Sequence, residues 1–149
     1  MELLDLNPLQ MKAVEFNHTD RCYFCKKHLF LELKRRAADL PLCDGTNHSD
    51  LSHYRPGLKA LSELKIHSPL AEAEFSKQDN REVGALIGLD HWDQAARPCM
   101  LTRLPYNQKV LASDLTALGE TETAMNRFFA GLNKGEIRFR LRKVSPETF

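Results

Sequence analysis

The sequence predicts a mixed α/β fold, with helices packed against a mainly parallel sheet, on three observations. Phe30, Leu33 and Ala37 recur at i, i+3 and i+7 within Lys26–Ala38, with Lys26, Glu32, Lys34 and Arg35 available for the wet side, as an amphipathic helix requires. The short apolar run Leu40–Cys43 stops at Asp44-Gly45-Thr46-Asn47. A Leu58/Leu61/Leu64 stripe then leads to a strand-like Ile66, so the order reads strand, helix, strand. Near the C-terminus Glu136–Val144 alternates, with Ile137, Phe139 and Leu141 on one face and Arg138, Arg140 and Arg142 on the other.

The remaining elements follow in order. Leu3, Leu4, Leu6, Leu9, Ala13 and Val14 have no firm period, and Asn17-His18-Thr19-Asp20 supplies turn and cap chemistry before Cys22, so a loop is expected to enter a helix. Arg55-Pro56-Gly57 breaks the chain before the leucine stripe. Ser76 with Asp79 three residues on is an N-cap signal for a helix with Val83, Leu86 and Ile87 as its apolar face and Gly88 as its stop. Cys99–Leu104, between Pro98 and Pro105, is expected as a strand. Ser113-Asp114 is expected to open a helix with Leu118, Met125, Phe129 and Leu132 facing the core. The expected division is an α/β domain over 1–112 and a helix-strand segment over 113–149.

The chain's 149 residues suffice for a core without disulfide or metal staples. Its 21 basic and 20 acidic side chains leave a net +1, which argues against general nucleic-acid binding. No apolar run approaches the ~18 residues of a membrane span, and Met1-Glu2-Leu3-Leu4-Asp5 lacks the form of a signal peptide, so the cytoplasm is the expected compartment. Four cysteines in such a chain point to metal or redox chemistry.

Cys22-Tyr23-Phe24-Cys25 has a spacing shared by zinc sites, iron–sulfur clusters and thioredoxin-like dithiols, and equally by two unrelated small residues in a half-buried turn. A zinc site would recruit Cys43 with His48 or His53, but Cys43 lies in an apolar run, where a buried structural cysteine is the commoner outcome. No histidine has ligand-pair spacing, and none is assigned to a metal. The arginine row reads either as a solvated strand face, the commoner case, or as a phosphate clamp built from planar guanidinium forks. No GxGxxG, GxxxxGK[ST] or SGGxDS loop occurs.

Several segments taken together resemble one family. Asp20-Arg21-Cys22-Tyr23-Phe24-Cys25-Lys26 is similar to its DRCYxCK motif. Asp44-Gly45-Thr46-Asn47 with Asp50, and Tyr54-Arg55-Pro56-Gly57 through Leu61, are similar to DGTNxDD and YRPGxxAL. Ser68–Ala73 with Lys77, then Gly88–Asp93, follow in order, and Cys99–Tyr106 is similar to CLxSRxPYG. These are motifs of the LarE family, ATP-dependent sulfur-inserting transferases of the PP-loop pyrophosphatase superfamily that serve nickel-pincer cofactor synthesis.

The resemblance implies a partial Rossmann-like, adenine-nucleotide-hydrolase-like parallel sheet with flanking helices and a short C-terminal α+β segment. The SGGxDS loop that belongs upstream in the family is missing, so the chain reads as a fragment, a degenerate paralogue or half of a split enzyme. The implied chemistry is adenylation of a carboxylate on a pyridinium mononucleotide, then attack by a protein-held sulfur. Cys22, Cys25 and Cys99 match ligands of a [4Fe–4S] cluster, with zinc as the alternative metal, and Cys43 is left to the core. Cys99 and Glu122 take catalytic roles, and Arg103, Arg138, Arg140, Asp44, Asn47 and Arg55 bind substrate or phosphate. ATP with Mg would serve a complete member. The implied partners are the mononucleotide, a separate ATP-binding chain and further copies of the same chain, without nucleic acid or membrane. The alternative function is a non-enzymatic zinc or iron–sulfur module acting through a partner protein.

Overall fold

The computed structural model describes residues 3–38, 40–130 and 138–139. Among them the helices are α1 (Lys12–Glu15), α2 (Arg21–Ala37), α3 (His48–Leu51), α4 (Pro56–Leu64), α5 (Pro69–Glu72), α6 (Lys77–Leu86) and α7 (Ala112–Phe129), with 3-10 turns at Pro8–Gln10 and Met100–Arg103. The chain divides into two compact units, Met1–Leu6 with Asp20–Gln94, and Asn7–Thr19 with Ala95–Phe149. No described helix is long and apolar enough to cross a membrane.

In the first unit α2 packs along α4. The helical period supplies the contact: Phe30 from α2 and Leu61 from α4 are buried with Ile66, and Leu33, Leu42, Leu58 and Leu64 pack around them. At the edge of this pair Tyr23 Oη donates to Glu63 Oε2 at 2.7 Å, and Lys27 Nζ reaches the same oxygen at 2.7 Å. Pro56 at the first helical position starts α4, and Lys65 in the left-handed region (φ 53°) ends it. Ile66 N–H then returns to the Leu61 carbonyl at 3.0 Å, which turns the chain back toward α2. A reciprocal Ser76/Asp79 capping box opens α6, with Asp79 N–H donating to Ser76 Oγ at 3.2 Å and Ser76 N–H to Asp79 Oδ2 at 2.8 Å.

The expected parallel sheet is not formed among the described residues, and this corrects the α/β assignment: the architecture is helical. The two apolar segments read as strands do meet, but in one isolated parallel bridge, Cys43 with His67. Asp44 N–H donates to the His67 carbonyl at 2.8 Å and His67 N–H to the Leu42 carbonyl at 3.0 Å. The ladder is flanked by groups that stop it. Pro41 has no N–H to give, Asp44 turns its carboxylate onto Thr46 N–H, and Pro69 starts α5 two residues after the bridge. The strand expected over Cys99–Leu104 is not formed: Met100–Arg103 is a 3-10 turn flanked by Cys99 and Leu104 as caps, and Thr102 Oγ1 and N–H both return to the Cys99 carbonyl, at 2.7 and 2.9 Å. Of the alternating C-terminal segment only Arg138 and Phe139 are described; Arg140, Arg142 and the rest lie outside the described residues.

In the second unit the buried apolar side chains among the described residues are Val14, Leu101, Val110 and Leu118. The chain at 107–110 runs beside the end of α1, with Val110 N–H donating to the Glu15 carbonyl at 2.7 Å and Asn107 N–H to the Asn17 carbonyl at 3.2 Å. Asn17 is fully buried and left-handed (φ 49°). Its Nδ2 donates to the carbonyls of Leu101, Leu104 and Pro105 at 3.3, 3.2 and 2.8 Å, so one side-chain amide caps the end of the 3-10 turn. α7 buries Leu118 as expected, while Met125 and Phe129 are half-buried.

Leu61 sits at the centre of the first unit's core, so Leu61→Ala should lower stability by about 3 kcal/mol. Leu86, 84% exposed, should tolerate the same change within about 0.5 kcal/mol. Urea unfolding midpoints compared at constant slope check both, and equal effects would contradict the assigned core.

Candidate functional site

Two polar clusters contain most of the residues that the sequence nominates, one in each unit. In the first, Asp44 follows directly on the bridge, and its side chain is 9% exposed. Oδ2 accepts from Lys26 Nζ at 3.0 Å and Thr46 Oγ1 at 2.7 Å, and Oδ1 accepts from Ser68 Oγ at 2.7 Å and Thr46 N–H at 3.1 Å. Burial pushes the Asp44 carboxyl upward, but the bonds from Thr46, Ser68 and Lys26 together hold it below the usual carboxylate range. A buried carboxylate with four donors is a loop organiser, tying α2, the 44–47 loop and the start of α5 to one point.

Asn47 and Asp50 form a capping box on α3, in which Asp50 N–H donates to Asn47 Oδ1 at 3.2 Å and Asn47 N–H to Asp50 Oδ2 at 3.4 Å. Arg55 Nη2 reaches Asp50 Oδ1 at 2.7 Å. Asn47 and Arg55 therefore converge on Asp50, and Asp44 keeps its own set of partners. Lys26, Thr46 and Ser68 were not nominated from the sequence. Lys26 reads there as a wet-side helix residue, and only the fold shows that its stem carries the ammonium back to Asp44.

In the second unit Arg103 and Glu122 form a forked pair, Nε to Oε1 at 2.8 Å and Nη2 to Oε2 at 3.0 Å, with the two side chains 7% and 12% exposed. Arg103 Nη1 also donates to the carbonyls of Pro98 and Cys99 at 2.8 and 3.2 Å and to Thr102 Oγ1 at 3.1 Å. Phe139 N–H adds a bond to Glu122 Oε1 at 3.0 Å, and Arg138 Nη2 donates to the Ala96 carbonyl at 2.5 Å. The nominated Cys99, Arg103, Glu122 and Arg138 thus lie in one neighbourhood. Arg103 and Glu122 engage each other, and the Cys99 thiol is exposed. Arg140 lies outside the described residues. The bonds from Arg103 hold the Glu122 carboxyl below its ordinary range against the opposing effect of burial, with help from Phe139 N–H and the charges of Arg103 and Arg138.

The expected metal centre does not assemble. Cys22 and Cys25 lie on α2, and Cys99 precedes the Met100–Arg103 turn. Among the described residues no three or more His, Cys, Asp or Glu side chains come together as metal ligands. This donor set fits neither a three-thiolate iron–sulfur cluster nor a closed zinc site. Cys43, expected in the core, is exposed in the bridge with His67.

No family model matches the chain. It is 36% identical over 140 residues to an uncharacterized protein of Synechocystis sp., covering 92% of this chain and 52% of that one. It is 31% identical over 140 residues to an uncharacterized protein of Methanocaldococcus jannaschii, covering 92% of this chain and 53% of that one. A third similarity, 36% over 104 residues, is to the pyridinium-3,5-bisthiocarboxylic acid mononucleotide synthase of Lactiplantibacillus plantarum; it covers 68% of this chain and 38% of the synthase. The chain spans about half the length of the first two relatives.

The LarE-like motifs are therefore a partial likeness to one named synthase, without the sheet that a PP-loop fold requires among the described residues. The identification with that family is corrected accordingly. The ATP-pyrophosphatase architecture and the sulfur-transfer reaction inferred from it lose their scaffold. So do the mononucleotide substrate, the ATP with Mg, the ATP-binding partner chain and the family-based self-association. The alternative zinc or iron–sulfur module fails on the donor set.

Glu122→Gln leaves the Arg103 charge without its counterion in a nearly dry site, and should cost about 3 kcal/mol at neutral pH. Because the folded-state pKa is depressed, the stabilisation is complete above the ordinary glutamate range and is lost as pH falls through the folded value. The gap between wild-type and Glu122→Gln melting temperatures should accordingly narrow on acidification from pH ~7 to ~3. A gap independent of pH would show that the charge pair is not its source.

Proposed function

We propose that the chain is a helical docking module that binds another polypeptide through the apolar rim where α6 ends. The observation carrying this reading is the exposure of four large apolar side chains within seven residues: Leu86 (84%), Ile87 (65%), Leu89 (56%) and Trp92 (48%). Sequence periodicity assigns Val83, Leu86 and Ile87 to a core-facing stripe, yet the residue that α6 buries is Gly84. A clustered apolar patch is costly to leave in water and marks interaction sites more often than scattered exposure does.

The rim is also held in shape. Gly88 is left-handed (φ 69°), and Gly88 N–H and Leu89 N–H return to the carbonyls of Ala85 and Gly84 at 3.2 and 2.9 Å, so Leu86, Ile87 and Leu89 project from one locked turn. A Cβ added to Gly84 would stand 3.1 Å from Trp92 Cβ, so the glycine lets the Trp92 backbone lie close against α6. Locking the turn in advance reduces the ordering cost of association. Burying side chains of this size contributes roughly 1.5–3 kcal/mol each.

The partner this reading takes is a polypeptide of the kind that makes up the rest of the relatives. In those proteins the matched region is joined to a comparable length of chain, and that length is the occupant proposed for the rim. The test is calorimetric titration of the chain with the purified part of the Synechocystis relative that lies outside the matched 140 residues. Saturable binding is expected, weakened at least about tenfold by Leu86→Asp with Ile87→Asp and unchanged by Tyr54→Ser at a position 92% exposed elsewhere in the same unit. Absence of binding, or equal loss in both variants, would overturn the reading.

A further inference from the structure

The N-terminal end of α2 carries Cys22, exposed, and Cys25, half-buried, and no metal site among the described residues uses either. Helix geometry puts residues three apart on neighbouring positions of one face, with Cα atoms about 5 Å apart. That lies inside the roughly 4.4–6.8 Å that a disulfide spans, although the Cβ atoms of a regular α-turn, about 5–6 Å apart, must close by roughly 1–2 Å.

The entry to the helix is held by few bonds, so the turn can adjust. Its N-cap, Asp20, makes no side-chain capping bond. Tyr23 N–H donates to the Asp20 carbonyl at 2.9 Å, whereas Phe24 N–H reaches the same oxygen only at 3.4 Å. The shorter, i to i−3, bond closes residues 20–23, so the chain is tightened where it enters the helix; Cys22 lies within that stretch and Cys25 two residues beyond it. The exposure of the two thiols also differs in the sense that exchange chemistry uses, one open to an external reagent and one shielded beside it.

From this arrangement we infer that Cys22 and Cys25 form a redox-active dithiol that closes reversibly to an intrahelical disulfide by exchange with a small-molecule disulfide. The Cys22 thiolate attacks one sulfur of the reagent, which breaks its S–S bond, forms a mixed disulfide and releases the first small thiol. The Cys25 thiolate then attacks Cys22 Sγ, forming the protein disulfide and releasing the second. The protein loses two electrons and two protons, and the reagent gains both as two thiols. Gly57 of α4 rests on this turn, since a Cβ placed there would be 3.1 Å from Lys26 Cδ and 3.7 Å from the Cys22 carbonyl oxygen. Tightening of the turn is therefore felt where α4 begins.

The experiment equilibrates the full chain in reduced and oxidised glutathione, quenches with acid, alkylates and digests with trypsin. Cleavage after Arg21 and Lys26 releases one peptide, 22–26, that contains both cysteines and neither of the others. The expected product is this peptide short of two hydrogens, unalkylated and without glutathione, and restored by dithiothreitol. In Cys25→Ser the glutathione adduct on Cys22 should persist at least tenfold longer than in wild type. Stable glutathione adducts on both cysteines of the wild-type peptide, a disulfide joining it to the Cys43 or Cys99 peptide, or an unoxidised peptide would each overturn the inference. The wild-type peptide decides the matter even if the variant fails to fold.

Discussion

Backbone polar groups outside helices must be paired, and among the described residues no sheet ladder is present to pair them. Side chains take over that task, and the architecture of each unit follows from which ones do so. In the first unit Asp44 gathers a lysine, two hydroxyls and a backbone N–H at the point where a strand would otherwise have continued. In the second, Asn17 and Arg103 divide the work. Asn17 satisfies the carbonyls of Leu101, Leu104 and Pro105, and Arg103 those of Pro98 and Cys99. Each of these polar side chains is specific because it is nearly dry, where an unmet hydrogen bond is costly and a met one fixes a single geometry.

The helical part of the structure was legible in the residues. The Phe30/Leu33/Ala37 period, the Leu58/Leu61/Leu64 stripe and the Ser76/Asp79 cap each correspond to a helix with the expected face or end. What the sequence could not weigh was competition for short apolar segments. Leu40–Cys43 and Ile66 have strand-like composition and do touch, yet a ladder grows only if the residues flanking the first pair can extend it, and here prolines and an Asp side chain occupy those positions. Cys99–Leu104 reads as a strand because composition does not show that Arg103, paired with Glu122 nineteen residues away, also draws the Pro98 and Cys99 carbonyls inward.

The candidate sites divide in a similar way. Motif resemblance drew attention to Cys99, Arg103, Glu122 and Arg138, and these do lie together. Spacing alone, however, cannot distinguish a guanidinium that receives a ligand from one that pairs with its neighbour. Nor can it say whether cysteines far apart in sequence meet: among the described residues no three or more His, Cys, Asp or Glu side chains come together as metal ligands. The apolar rim after α6 escaped sequence reasoning for the opposite reason. Its periodicity is that of a core face, and only accessibility reveals that no described part of the chain covers Leu86.

Asn17 also bears on how the chain ages. Loss of ammonia from an asparagine begins when the next residue's backbone nitrogen attacks the side-chain carbonyl carbon, and it leaves a carboxylate behind. At this position the product would place negative oxygen against three carbonyls that now receive N–H bonds, so a single such event would undo the cap. The fold holds the attacking atom back. The His18 backbone N–H is committed to the Ala13 carbonyl at 2.9 Å, and Asn17 itself is sealed from water. The geometry that makes this amide indispensable is thus the same geometry that slows its decay.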